Sequence, residues 1–229
     1  MPLHTVTPLS EHALLGLWQL TEQPADLLKQ VPRAELYSQL QPATRDENRT
    51  LQWLAGRVLA HALLAQVNPE ARAVLRNDEN GRPFFEQLPD YAVSLSHSGQ
   101  WLAAIVATQG RVGTDIELIR TKAQQLASRF LSKDELADTG DDVAKHSLYW
   151  SAKETLYKLH SRRGLVFKEQ IRLNPFELRK AGVLTGHLLL ENFRSQHQIH
   201  YQRLAADYVL TYCVEDVVVP PSFSPYSPV

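Results

Sequence analysis

Cysteine is nearly absent from this 229-residue chain, where Cys213 stands alone. A single thiol excludes an intrachain disulfide and any multi-cysteine zinc or iron–sulfur centre, and it favours a cytosolic setting. Long apolar runs are missing too: the longest, Trp101 to Ala107, falls far short of the about 18–20 residues needed to cross a bilayer. The opening MPLHTVTPLS has neither the basic nor the apolar segment of a secretory signal. A soluble, cytoplasmic protein with no membrane partner is expected. Excess charge of either sign is also lacking, since 24 Lys and Arg face 25 Asp and Glu. No nucleic-acid partner is therefore expected, because phosphate affinity on that scale needs a marked Lys/Arg excess, and any basic site must be local. What remains is a globular composition, 44% hydrophobic and 21% charged, long enough to bury a core without staples.

Apolar residues Leu51, Leu54, Ala55, Val58, Leu59, Ala62 and Leu63 recur at three- and four-residue steps, which predicts an amphipathic helix from Asp46 to Gln66, closed by Asn68-Pro69. Asn80-Gly81 marks a turn. Tyr91 to Leu95 and Trp101 to Ala107 read as a hairpin around Ser96-His97-Ser98-Gly99, and Arg111 to Glu117 as a third strand. A second helix, His146 to His160, precedes strand-like segments Val183 to Glu191, Gln198 to Leu204 and Tyr208 to Val214. Helix followed by a small antiparallel sheet thus occurs twice. The expected fold is α+β, two similar halves related by a pseudo-two-fold, residues 1–110 and 111–219, with a Pro- and Ser-rich flexible tail at 220–229. Leu54, Val58, Leu95, Ile105, Ile116, Leu148, Leu156 and Val209 are expected in the core. His197 and His200, three apart in a strand, read as surface residues on opposite faces, and Cys213 as a small buried side chain.

Because side chains alternate along a strand, Gly113, Asp115 and Glu117 share one face, with open space expected beside the glycine. An isolated Asp-x-Glu is ordinarily an exposed edge. On the second helix, Leu148, Ala152, Leu156 and Leu159 form the stripe expected to be buried, leaving Ser147, Ser151, Glu154 and Lys158 on the opposite face. By itself the Glu154/Lys158 pair is a surface ion pair at i,i+4. If this helix packs beside the strand, Glu154 becomes a third oxygen donor next to Asp115 and Glu117, with Lys158 one turn away. Three hard oxygen donors without Cys or His suit Mg²⁺, which keeps positions for water and substrate phosphates.

Val112-Gly113-Thr114-Asp115-Ile116-Glu117 and Trp150-Ser151-Ala152-Lys153-Glu154-Thr155-Leu156-Tyr157-Lys158 resemble the two signature motifs of the phosphopantetheinyl transferases. Asn48-Arg49-Thr50, Gly81-Arg82-Pro83 and Ser94-Leu95-Ser96-His97-Ser98-Gly99 extend the resemblance over about Asp46 to Leu165. The length is similar to that of the monomeric, surfactin-synthetase-activating branch, a pseudo-dimer with its site between halves. The resemblance implies Mg²⁺-dependent transfer of the phosphopantetheine arm of coenzyme A to a serine of an apo acyl or peptidyl carrier protein, releasing 3′,5′-ADP. It implies Asp115, Glu117 and Glu154 as metal ligands, with Glu154 also a candidate base and Lys158 neutralising the diphosphate. Arg49, Arg82, Ser96 and His97 would grip the 3′-phosphate and adenylate end, with Thr50, Arg76 and Lys153 as further candidates. Arg82 replaces the lysine usual in the family and adds a fork suited to phosphate. Another Mg²⁺-dependent enzyme acting on a nucleotide diphosphate, or an inactive coenzyme A-binding protein, are the alternatives.

Overall fold

Two antiparallel sheets, each backed by one long helix, form an α+β fold in the computed structural model, which describes residues 3–160, 164–205 and 207–215. The proposed tail at 220–229 lies outside the described residues. In chain order come β1 (Leu3–Pro8), β2 (Ala13–Gln19), α1 (Pro24–Gln30), α2 (Ala34–Leu40), α3 (Glu47–Val67), β3 (Leu75–Asn77), β4 (Pro83–Phe85), β5 (Ala92–Ser98) and β6 (Trp101–Ala107). There follow β7 (Arg111–Leu118), α4 (Thr121–Gln125), α5 (Ala127–Phe130), α6 (Lys133–Thr139), α7 (Val143–His160), α8 (Phe167–Gln170), β8 (Ile171–Leu173), β9 (Ala181–Leu190), β10 (Phe193–Leu204) and β11 (Tyr208–Glu215). The first sheet has the order β1-β2-β6-β5 and the second β7-β11-β10-β9-β8, while β3 and β4 pair separately. Among the described residues no helix is long and apolar enough to cross a membrane.

Helix α3 starts where Asp46 caps it, its carboxylate accepting the Asn48 and Arg49 amides at 3.0 and 3.4 Å. Its apolar stripe packs on the first sheet. Helix α7 packs on the second, with Leu148, Leu156 and Leu159 fully buried. A third apolar cluster, including Leu15, Ile105, Val112, Ile116 and Leu210, draws on both sheets and joins the halves. Of the expected core, seven residues are buried; Leu95 is only half-buried and lines a cavity instead. Cys213 is buried, as expected.

Four expectations need correction. The halves do not run helix-then-sheet: β1 and β2 precede α3, and β7 precedes α7. Ser96, His97 and Ser98 belong to β5, so only Gly99 and Gln100 turn the hairpin; Gly99, at φ +54°, supplies the left-handed residue. The polar face of α7 is partly buried: Ser147 and Ser151 are covered, with Ser151 and the neighbouring Thr155 bonding the Thr211 hydroxyl at 2.8 and 2.6 Å, while Glu154 and Lys158 are half-buried. His197 is not a surface residue. It is 3% exposed, shares a hydrogen bond with Ser195 Oγ at 2.6 Å, meets His160 Nε2 at 3.0 Å, and bonds Glu215, which Arg111 also pairs.

Candidate active site

β5 and β7 are the facing edges of the two sheets, and serines rather than backbone bonds connect them. Ser94 Oγ accepts the Thr114 amide at 3.0 Å, and Ser98 Oγ accepts the Leu118 amide at 3.1 Å. Between them Ser96 Oγ donates to Asp115 Oδ1 at 2.7 Å. On β7, Gly113, Asp115 and Glu117 face α7, as alternation required, but no open space lies beside the glycine. The backbone of α7 fills it: a Cβ at position 113 would stand 2.2 Å from the Thr155 carbonyl oxygen and 3.0 Å from the Leu159 amide nitrogen.

That close approach brings the helix motif onto the strand motif. Lys158 Nζ donates to Asp115 Oδ1 at 2.7 Å and to the Thr114 carbonyl at 3.1 Å. Asp115 is 3% exposed, and its Oδ2 is buried without a hydrogen-bond partner. Glu117 is held at both oxygens, by Trp150 Nε1 at 3.0 Å and by Ser98 Oγ at 3.2 Å. Burial, then Asp115, raises the Glu117 pKa. Glu154 is pushed up to about 7, by burial first and then by Asp115 and Glu117, against the opposing pull of Lys158. Such mutual repulsion is what a cation relieves.

The residues fit Mg²⁺ on this evidence: a buried carboxylate oxygen without a donor, two neighbours resisting ionisation, and an all-oxygen set. Among the described residues no three His, Cys, Asp or Glu side chains already converge closely enough to hold a metal ion. A cation at Asp115, Glu117 and Glu154 would therefore draw their carboxylates together and take the rest of its shell from water and phosphate.

Two cavities share Gly81, Pro83 and Leu95 in their walls, and one of them reaches Glu154. One, of about 220 Å³, is walled by Arg82, Tyr157, Glu154 and Lys158; the other, of about 410 Å³, by Arg49, Arg57, Asn77 and His97. The Gly81-Arg82-Pro83 turn is fixed by Asp78, whose carboxylate accepts the Asn80 and Arg82 amides at 2.8 and 2.9 Å, and by Gly81 at φ +82°. Arg49 and His97 are exposed toward solvent, and His97 is held toward its neutral form by partial desolvation and by nearby Lys158.

Other candidates lie elsewhere or are committed. Lys153 is wholly buried, paired with Glu135 at 2.8 Å and donating to the carbonyls of Phe130, Phe167 and Ile171, so it cannot reach a ligand. Ser96 gives its proton to Asp115 rather than to a phosphate. Thr50 is buried and accepts from Gln41, and Arg76 pairs with Glu86; neither lines the two cavities. Sequence reading missed Arg57. It is 5% exposed, stacks 3.5 Å over Trp53, donates to Asn77 at 2.7 Å, and keeps a buried Nε without a partner. Burial lowers its pKa to about 10. Arg57 falls outside the stripe of Leu51, Leu54, Ala55, Val58, Leu59, Ala62 and Leu63, so nothing local set it apart from a solvated arginine.

Residues 111–213 match the family model of the 4′-phosphopantetheinyl transferase superfamily, and residues 39–107 match that of the 4′-phosphopantetheinyl transferase N-terminal domain. The chain belongs to the 4′-phosphopantetheinyl transferase superfamily. It is 34% identical to the 4′-phosphopantetheinyl transferase psf-1 of Bacillus pumilus over 121 residues, 50% of each chain. Over 120 residues it is 32% identical to Sfp of Bacillus subtilis, covering 49% of this chain and 52% of that one. AcpT of Salmonella typhi is 33% identical over 117 residues, 48% of this chain and 58% of its own. The chain thus spans about half the length of these curated relatives in each match.

Proposed function

We propose that this protein transfers the phosphopantetheine arm of coenzyme A to a serine of an apo acyl or peptidyl carrier protein, giving holo carrier protein and 3′,5′-ADP, and that it works as a cytosolic monomer whose halves, 1–110 and 111–219, together supply the cleft. The observation that carries the reading is the convergence of Asp115, Glu117, Glu154 and Lys158 beside cavities walled by Arg82, Arg49, Arg57 and His97. Asp115, Glu117 and Glu154 would hold Mg²⁺, which when bound supplies charge stabilisation to the diphosphate. Glu154 would take the serine proton as that oxygen attacks the phosphorus carrying the pantetheine arm. The phosphorus–oxygen bond to 3′,5′-ADP then breaks, and Lys158 offsets charge on the departing group. Incubation with coenzyme A, Mg²⁺ and an apo carrier protein should raise the carrier's mass by one phosphopantetheine arm; an unmodified carrier would sink the reading.

Three outcomes are expected. Since Glu154 must be deprotonated to bind a cation and its carboxyl titrates near 7, Mn²⁺ affinity should rise from pH 6 to pH 8. A flat affinity over that range removes Glu154 from the ligand set. Arg82→Ala should weaken coenzyme A by roughly tenfold, in line with a charged hydrogen bond worth about 1.5–3 kcal/mol, and weaken the analogue lacking the 3′-phosphate less. Equal losses would free Arg82 of that contact. Third, Arg120, Lys122, Arg129 and Lys133 are all exposed, in a stretch without Asp or Glu, and Arg120 and Lys122 edge an apolar cavity that Glu117 and Trp150 also line. An acidic carrier surface would be steered there. Reversing Arg120 and Lys122 to Glu should raise KM for the carrier and not for coenzyme A; an unchanged carrier KM excludes this face.

A further inference from the structure

Asp115 Oδ1 already accepts from two donors, Ser96 and Lys158, which leaves Oδ2 as its bare oxygen. The hydroxyl rotor of Ser98 is set in a similar way. Its oxygen accepts the Leu118 amide, so its proton turns to Glu117 Oε2 while Trp150 occupies Oε1. Both serines are under one-tenth exposed and stand two residues apart on β5, hence on one face. β5 belongs to the first sheet, whereas all three carboxylates belong to β7 and α7.

We infer that Ser96 and Ser98 are positioning residues that fix which oxygen of Asp115 and Glu117 faces the cation, so that the N-terminal sheet sets the cation affinity of a site whose ligands all lie in the C-terminal half. The inference rests on Asp115 and Glu117 being cation ligands. Partners that orient ligating groups commonly change metal affinity by 10–100-fold when removed. Ser94 provides an internal control. It lies on the same face of β5 and bonds the Thr114 amide, yet no hydrogen bond connects it to a carboxylate among the described contacts.

Mn²⁺ alone, titrated into coenzyme-free protein and followed by electron paramagnetic resonance, tests the inference without reference to turnover. Ser96→Ala should weaken Mn²⁺ by about tenfold. Ser98→Ala should weaken it several-fold, because Trp150 still holds Glu117. Ser94→Ala should lower the melting temperature while leaving Mn²⁺ affinity within about twofold, since it removes a bond across the joint but none to a ligand. If Ser94→Ala weakens Mn²⁺ as much as the other two, the serines merely join the sheets and the inference falls. It falls equally if Ser96→Ala and Ser98→Ala both bind as the wild type does while Asp115→Ala does not, an outcome that leaves the ligand assignment standing. Wild-type affinity in Asp115→Ala would overturn the ligand assignment itself, and this inference with it.

Discussion

Asp115→Ala is expected to reduce transfer by at least about a hundredfold at saturating Mg²⁺, because Lewis-acid stabilisation is worth several kcal/mol and each 1.4 kcal/mol is about a factor of ten. Asp115 is the most buried of the three carboxylates and the only one with an unpartnered buried oxygen among the described residues. Folding should change little. The lost contact with Lys158 is offset by relief of repulsion, since Asp115 is a principal cause, after burial, of the raised pKa of both Glu117 and Glu154. A second readout follows: the Glu154 pKa should move down toward the ordinary carboxylate range in the variant. Retention of more than a tenth of the wild-type rate, measured by mass of the modified carrier, would rule out a cation held by this residue.

Gly113→Ala should have the largest effect on folding. The added carbon would meet the Thr155 carbonyl at 2.2 Å, and backbone cannot swing aside as a side-chain tip can. Overpacking commonly costs about 1–3 kcal/mol, and here the helix axis itself must shift, so about 3 kcal/mol or more is expected. For a chain of this size that is a fall in melting temperature of roughly 6–12 °C. Any displacement of α7 carries Glu154 and Lys158 away from β7, so residual folded protein should also transfer poorly. A variant that melts like the wild type would mean that the contact is looser than the structure has it.

The reach of sequence reading follows from what each pattern reports. Helix α3 was legible because its apolar residues repeat at helical spacing and Asp46 is a capping residue. β2 was not, since it is buried on both faces and lacks the alternation that announces a strand. Ser-His-Ser-Gly was read as a turn because those residues favour turns. Only the tertiary partner shows why they extend: Ser98 accepts the Leu118 amide on the edge of β7, and Ser96 donates to the Asp115 carboxylate. The same limit applies to α7, where Ser151 and Thr155 look solvated in sequence yet are buried through bonds to Thr211. Lys153 sits inside a signature motif, and nothing local distinguishes a ligand-binding lysine from one paired with Glu135, a residue that also completes the capping box of α6. Asp115, Glu117, Glu154 and Lys158 were legible as a group because two periodicities, two along a strand and 3.6 along a helix, fixed their faces in advance.

Cys213 bears on how the molecule can be studied. It is the chain's sole thiol, 1% exposed, with a pKa pushed up to about 12 chiefly by burial. The thiolate is the form that alkylating reagents attack, so in the folded state at neutral pH this residue is inert toward maleimides. One cysteine placed on the surface away from the proposed carrier face, at Lys29 for example, would then take a fluorophore or spin label site-selectively without any background substitution. Distances and encounter kinetics with a labelled carrier protein become measurable on an otherwise native sequence.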